Sequence, residues 1–478
     1  MPEYEAAIGM EVHAELLTGS KMFCGCRNAF GGEPNTRCCP VCTGMPGSLP
    51  VMNRRAVEHV IRAALALNCR VSPDARFDRK NYFYPDLPKG FQISQYERPI
   101  GIEGWLGIDT EAGPKRVRIR RVHLEEDTGK LLHLATGESA VDFNRSGVPL
   151  MEIVTEFPPD MRTAEEARAY LTKLRAVLTY IGVSDGKMEE GSLRCEPNLS
   201  VRPVGSAGLG TKTEIKNLNS FRAVYRGIEY ETARQIGVLR SGGAVAQETR
   251  GWDDARGQTF TQRSKEVEQE YRYFPEPDLV PLQIDEEWVD RIRRAMPELP
   301  DAARARFVEQ YELPPHAADA LTQTRATADF FEEAALTSGD PRAAANWMIG
   351  DLARLLNASG TEITDSRVSP RHLADMLALM AEGVISGKMA KGIFEEMFAT
   401  GVSARALADR AGPQVSDTAA IAAWLEEAIA AEPRVWQELC GGDTRKQGYF
   451  VGQVMKASRG KANPAEVNRV LRARMEGA

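Results

Sequence analysis

The stretch Ile8-Gly9-Met10-Glu11-Val12-His13-Ala14-Glu15-Leu16 decides how this chain is read. Ile8, Met10, Val12, Ala14 and Leu16 alternate with Glu11, His13 and Glu15. A period of two predicts a half-buried β-strand. Residues two apart share a face, so Glu11 and His13 are expected side by side, opposite the apolar face. A carboxylate and an imidazole fixed on a strand suit a cation or a phosphate. A solvated edge strand would give the same pattern, because charged residues are mostly exposed.

The chain has 478 residues, too many for one core, and about two to four domains are expected. Hydrophobic residues make up 43% and charged residues 27%, the balance of an ordinary globular protein. A net charge of −7 argues against a generally basic nucleic-acid coat but leaves room for a local basic patch. The acidic start, Met1-Pro-Glu-Tyr-Glu5, lacks the apolar run of a secretory signal. No apolar span reaches the length of about 18 residues that a membrane helix needs. Five of the eight cysteines fall between Cys24 and Cys42, which points to a metal site in a reducing cytoplasm rather than to disulfides.

Cys24-Gly-Cys26 and Cys39-Pro-Val-Cys42, twelve residues apart, fit a tetrahedral zinc knuckle with thiolates about 2.3 Å from the metal. Cys38 could replace Cys39. Four thiolates leave no open position for a substrate, so the expected role is structural. Asn53 to Leu67 reads as a helix capped by Asn53, with Ala56, Val60, Ile61, Ala64 and Leu67 at helical spacing. The run from Arg79 to Gln95 interleaves basic residues, Lys80 among them, with aromatics, amides and two prolines. Prolines exclude a helix there, and the mixture suits a nucleotide or a nucleic-acid end as well as an aromatic mini-core.

A basic strand from Lys115 to Leu124 leads into Glu125-Glu126-Asp127, three carboxylates that repel unless a cation compensates. Glu152 interrupts the apolar run Val148 to Val154 and needs a partner such as Arg145 or a metal. Thr163 to Ile181 is an amphipathic helix. Arg194, Glu196, Asn198, Ser200 and Arg202 alternate with apolar residues, and after a glycine-rich turn Lys212, Glu214 and Lys216 share a face. These segments read as a hairpin with one charged face. Ser220 is placed to cap a helix from Phe221 to about Val238. Folding alone does not require so many charges on ordered strands, whereas a sheet floor binding metal ions and phosphates does.

The predicted organisation is α+β over residues 1–293, an all-α domain over 294–405 and a small helical tail over 406–478. From Arg445 to Arg474 there are eight Lys or Arg against one acid, Glu466, an excess that suits a phosphate backbone. Lys446, Lys456, Arg459 and Lys461 are its candidate contacts. No Gly-x4-Gly-Lys-Ser/Thr loop occurs, and Cys69, Cys195 and Cys440 are isolated, so neither a P-loop nor an obvious cysteine nucleophile is present.

Several long motifs occur in a fixed order: Ile8-Gly-Met-Glu-Val-His-Ala-Glu15, Phe77-Asp-Arg-Lys-Asn-Tyr-Phe-Tyr-Pro-Asp86, His123-Leu-Glu-Glu-Asp-Thr-Gly-Lys130, Met188-Glu-Glu-Gly-Ser-Leu-Arg-Cys195, Lys216-Asn-Leu-Asn-Ser-Phe221, Tyr271-Arg-Tyr-Phe-Pro-Glu-Pro-Asp278 and Gly452-Gln-Val-Met-Lys-Ala457. Together they resemble the B-subunit family of the aspartyl/glutamyl-tRNA amidotransferases. Met10 stands where that pattern leads one to expect Leu, a volume-conserving change. The resemblance implies a ligase that forms carbon–nitrogen bonds with glutamine as amido donor. It implies a glutaminase A subunit that supplies ammonia, a small C subunit, and ATP and Mg²⁺ for phosphorylating the side-chain carboxylate of Glu on tRNA(Gln) or Asp on tRNA(Asn). It also implies a cradle like the glutamine synthetase catalytic fold. Glu11, His13, Glu126 and Glu152 would then hold Mg²⁺, with Glu125 able to replace Glu126, since adjacent strand residues point to opposite sides. Arg194, Lys212 and Lys216, by their strand alternation, and Lys80 are the candidate contacts of the ATP phosphates. Cys24, Cys26, Cys39 and Cys42 would hold a structural Zn²⁺. The reading set against it is a zinc-knuckle tRNA-binding protein without catalysis. The Glu11/His13/Glu126/Glu152 set, which pure binding does not require, separates the two.

Overall fold

The opening alternation is realised as strand β1 (Tyr4–Glu15). Ile8, Met10, Val12 and Ala14 are at most 1% exposed, and Glu11, His13 and Glu15 lie half-buried on the other face. The structure is a computed structural model that describes residues 3–134, 136–264, 271–411, 415, 417–442, 444–458 and 460–476. The chain divides into two units, Met1–Leu299 and Pro300–Ala478.

In the first unit the strands after β1 are β2 (Arg70–Val71), β3 (Asp74–Ala75), β4 (Asp78–Asn81), β5 (Phe91–Ser94), β6 (Gly101–Thr110), β7 (Gly113–Glu126), β8 (Lys130–His133) and β9 (Ser139–Asp142). They continue with β10 (Pro149–Thr155), β11 (Leu193–Pro203), β12 (Thr213–Lys216), β13 (Glu248–Asp253), β14 (Gln258–Ser264), β15 (Phe274–Pro275) and β16 (Leu282–Gln283). Among the described residues nine of them form one sheet, ordered β14-β13-β12-β11-β1-β10-β7-β6-β2. All its neighbours are antiparallel except β12 and β13. β1 is the middle strand, paired on both sides, so the edge-strand reading of Glu11 and His13 fails. The predicted hairpin of β11 and β12 is present.

One face of the sheet is apolar and is covered by α1 (Arg54–Ala66), α2 (Ala164–Tyr180) and α3 (Phe221–Arg240). Each helix begins where a side chain satisfies free N–H groups. Asn53 Oδ1 accepts from Arg55 and Ala56, Thr163 from Glu166, and Ser220 from Ala223. The other face carries the charges. The small sheet β15-β4-β5 and its loops flank it.

β6 was not legible as a strand because glycines break its alternation. The reason for Gly104 is a close approach: a Cβ there would lie 2.7 Å from the Leu67 carbonyl at the end of α1. β13 and β14, also unpredicted, are tied to α3 through a buried charge network. Glu231, 0% exposed, accepts from Arg234 (2.9 and 2.6 Å), Gln235 (3.0 Å) and Thr259 (2.9 Å). Arg250 of β13 lies 3.4 Å from the same carboxylate and also holds Glu248 (2.6 Å).

The second unit is helical. The helix Arg325–Ser338 packs on Pro370–Ala381. Helices Thr418–Ala431, Gln447–Ala457 and Pro464–Glu476 close around Ile421, Leu425, Phe450, Val454 and Leu471. The chain is thus a mixed α/β unit followed by a helical one, in line with the predicted class.

Candidate active site

Strand register builds the charged floor. His123 of β7 lies opposite Glu152 of β10, Glu152 opposite His13 of β1, and His13 opposite Arg194 of β11. One row across four strands therefore reads His-Glu-His-Arg. Glu152 Oε2 is 3.1 Å from His123 Nε2 and 3.6 Å from His13 Nε2. Glu125 lies 3.7 Å from His13 and 3.6 Å from His123, and accepts from Ser94 Oγ at 2.9 Å. Donor atoms of His13, Glu125 and Glu152 all fall within 4.8 Å of one another.

The electrostatics follow from this crowding. Burial alone would raise the pKa of Glu152 and Glu125, but the neighbouring imidazoles outweigh it and hold both below the usual carboxylate range. Burial works against protonation of His13, yet Glu152 and Glu125 push its pKa up to about 9. Glu11 is shifted upward by burial and by Glu152 and Glu196, and accepts from Asn198 Nδ2 at 2.9 Å. Two buried carboxylates beside two imidazoles, with Lys80 acting on Glu125, are a donor set that fits a divalent cation. Any such cation that takes His13 must displace its proton. Cation affinity at this set should therefore rise with pH up to about 9. An affinity that stays flat from about pH 6 upward in a Mn²⁺ titration would contradict the arrangement.

These residues line a cavity of about 470 Å³. Of the sequence-predicted contacts, Glu11, His13, Glu125, Glu152, Lys80, Arg194, Lys212 and Lys216 all reach it. Glu126 does not. Period two turns it to the opposite side, where Lys89 contacts it and the Ile93 N–H donates to it at 3.0 Å. Glu125 therefore takes the place in the carboxylate set for which Glu126 was the first choice. The cations also differ in availability. Arg194 is held by Asp127 (2.7 and 3.3 Å), and Lys216 by Glu196 (3.0 Å) and Glu214 (3.3 Å). Burial opposes the charge of Lys80, but Glu125 and its neighbours raise its pKa. Lys212 is exposed.

Sequence reasoning missed Arg121. It lines the cavity, forms no ion pair among the described residues, and leaves its buried Nε without a hydrogen bond. Its guanidinium lies 5.7 Å from the Tyr96 ring, which stacks on Tyr273 at 4.3 Å. His123 carried no role of its own beyond its motif. Counting back by twos from Glu125 reaches His123 and Arg121 on the same face, and that signal was available. Tyr82, Tyr271 and Tyr273 gave no periodic signal, because they sit on loops and beside a two-residue strand.

The sulfur atoms of Cys24, Cys26, Cys39 and Cys42 lie within 4.8 Å of one another, a set that could hold a metal ion. Cys42 is shifted down to about 5, first by the Cys24 thiol and then by the Cys39 N–H and Lys21. The open choice between Cys38 and Cys39 is decided for Cys39, since Cys38 Sγ points to the Asn35 carbonyl at 3.2 Å. Cys39→Ser is therefore expected to lose bound metal and Cys38→Ser to keep it, read as metal per chain by elemental analysis. Equal loss from both would refute the assignment.

In the second unit Lys456 is exposed and Lys461 half-buried, while Lys446 pairs with Glu438 at 3.2 Å. Arg474 pairs with Glu426, so acids from outside the counted window reduce the basic excess. Arg459 lies outside the described residues. No described helix is long and apolar enough to cross a membrane.

Comparison with known proteins gives the same answer along the whole chain. A family model described as the GatB/GatE catalytic domain matches residues 6–290, and one described as the GatB domain matches 329–475. A protein of Moorella thermoacetica is 54% identical over 477 residues, covering 99% of this chain and 100% of its own. One of Carboxydothermus hydrogenoformans is 53% identical, covering 99% of both chains. One of Thermoanaerobacter sp. is 52% identical, covering 98% of this chain and 99% of its own. All three are named as the B subunit of an aspartyl/glutamyl-tRNA(Asn/Gln) amidotransferase. With similarity this high and unbroken, the chain belongs to the family of aspartyl/glutamyl-tRNA(Asn/Gln) amidotransferase B subunits.

Proposed function

We propose that this chain is the ATP-dependent subunit of a tRNA-dependent amidotransferase. In this reading it phosphorylates the side-chain carboxylate of Glu on mischarged tRNA(Gln), or of Asp on mischarged tRNA(Asn). It then amidates that group with ammonia from a glutaminase A subunit, in a cytoplasmic heterotrimer completed by a small C subunit. The names of the relatives support the amidotransferase role. The observation that carries the kinase step is the buried His13/Glu125/Glu152 set on the central strands, which binding of tRNA alone does not need.

The chemistry explains the residues. A carboxylate is a poor acyl donor because oxide is a poor leaving group. Attack of a carboxylate oxygen on the γ-phosphorus of ATP releases ADP and forms an acyl phosphate. Attack of ammonia on the acyl carbon then releases inorganic phosphate, and loss of one proton leaves the amide. Two anionic reactants must meet in the first step and an anionic phosphate must leave in the second, so the cavity has to supply positive charge. His13, Glu125 and Glu152 would hold Mg²⁺, with Glu11 beside them. When bound, that ion neutralises phosphoryl oxygens. Lys80, Arg121 and Lys212 are the side chains assigned to phosphate, while Arg194 and Lys216 act mainly by holding Asp127, Glu196 and Glu214. We assign Zn²⁺ to the four cysteines as a structural ion. The charged face of a mostly antiparallel sheet supports a cradle of the glutamine synthetase kind over residues 1–293. The separate core around Phe450 supports dividing the remainder into a helical domain (294–405) and a tail (406–478), with Lys456 and Lys461 meeting tRNA.

The test uses the assembled complex with mischarged tRNA, Mg²⁺ and labelled ATP but no ammonia donor. Wild type is expected to show tRNA-dependent ATP turnover. Glu11→Ala is expected to abolish it while tRNA affinity stays nearly intact. Bound tRNA without turnover in wild type would favour a binding module and overturn the proposal.

A further inference from the structure

Lys21 is fully buried, at 0% exposure, beside the cysteine cluster. Its ammonium donates to the Phe143 carbonyl at 3.2 Å and to Cys42 Sγ at 3.7 Å. Its backbone N–H donates to the Cys26 carbonyl at 2.9 Å. One residue thus touches both arms of the knuckle, Cys24/Cys26 and Cys39/Cys42. Among the described residues no carboxylate pairs with this ammonium, and the Glu126 carboxylate nearby is engaged by Lys89 and the Ile93 N–H. A buried ammonium requires an anion, and a backbone carbonyl is not one. Four thiolates on a dication carry two negative charges in excess, and Cys42, the buried one of the four, is the thiolate that faces Lys21. The two requirements answer each other across the Lys21–Cys42 contact.

We propose that Lys21 is the outer-sphere partner of the four-cysteine metal centre. Its ammonium offsets part of the cluster's negative charge through Cys42 and anchors the centre to the Phe143 carbonyl. This rests on the assignment of a resident Zn²⁺ to these cysteines. Lys21 is a positioning residue: it donates to a sulfur and does not ligate the metal. Outer-sphere partners of this kind typically change metal affinity by about 10–100-fold.

The test compares wild type with Lys21→Met, which keeps length and removes charge. Chelator competition is expected to show Zn²⁺ held about tenfold or more weakly in the variant. In the Co²⁺-loaded protein the sulfur-to-metal charge-transfer band should move to lower energy, because the thiolate loses its donor. A folded variant with unchanged Zn²⁺ affinity and an unmoved band overturns the proposal. Should Lys21→Met fail to fold, amine labelling of the wild-type chain decides. Lys21 is expected to be protected while Zn²⁺ is bound and to react after chelation, with circular dichroism unchanged. Protection that ignores Zn²⁺ assigns Lys21 to packing alone and overturns the proposal. Wild-type chain that binds neither Zn²⁺ nor Co²⁺ removes the metal assignment itself, a different failure from binding that Lys21 does not affect.

Discussion

Glu152→Gln should abolish tRNA-dependent ATP turnover while leaving tRNA affinity within about twofold. The substitution keeps the shape of the side chain and removes the nearer of the two carboxylates that both His13 and His123 face, at 3.6 and 3.1 Å. It also removes one of the two carboxylates of the proposed cation set. Loss of one aligned electrostatic group in a water-poor site typically lowers turnover about 10²- to 10³-fold. Loss of Glu152 should also let the His13 pKa fall from about 9, since that carboxylate is the main group raising it against burial. Turnover within about threefold of wild type would sink the assignment of this row to chemistry. An equal collapse of tRNA affinity would sink the division of labour.

Glu231→Ala should cost about 3–5 kcal/mol of first-unit stability, the range for breaking a buried charge pair by removing one partner. The reason is geometric. Glu231 is 0% exposed and neutralises Arg234, while Arg250 approaches the same carboxylate at 3.4 Å. Without it, Thr259 and Gln235 lose an acceptor, and among the described residues only Glu248 remains to balance the two guanidinium groups. β13 and β14 end the sheet on that side, so their amides should lose hydrogen-exchange protection first. Glu231→Gln keeps the acceptor and should lose less. A measured loss under about 1 kcal/mol for the alanine variant would show that the network relaxes without harm.

The division between what could be read and what had to be seen is clear at particular residues. Alternation places a side chain on one of two faces, and that rule alone put Glu11 and His13 together on β1. Helical spacing with Asn53, Thr163 or Ser220 ahead of it located α1, α2 and α3, since caps are local chemistry. Order and spacing of the long motifs carried the family. β6, β13 and β14 escaped because glycines and charges mask their alternation, and the contacts that justify those residues come from distant parts of the chain. The choice of Glu125 over Glu126, and of Cys39 over Cys38, needed the strand register and the loop path. So did the pairing of Arg194 with Asp127 and of Lys446 with Glu438, which removes two cations that a one-dimensional count leaves free. By itself the sequence determined the strand face, the helix starts and the family. Only the tertiary structure decided which charges meet, because local periodicity fixes the direction of a side chain while its partner is set by contacts between residues far apart in the chain.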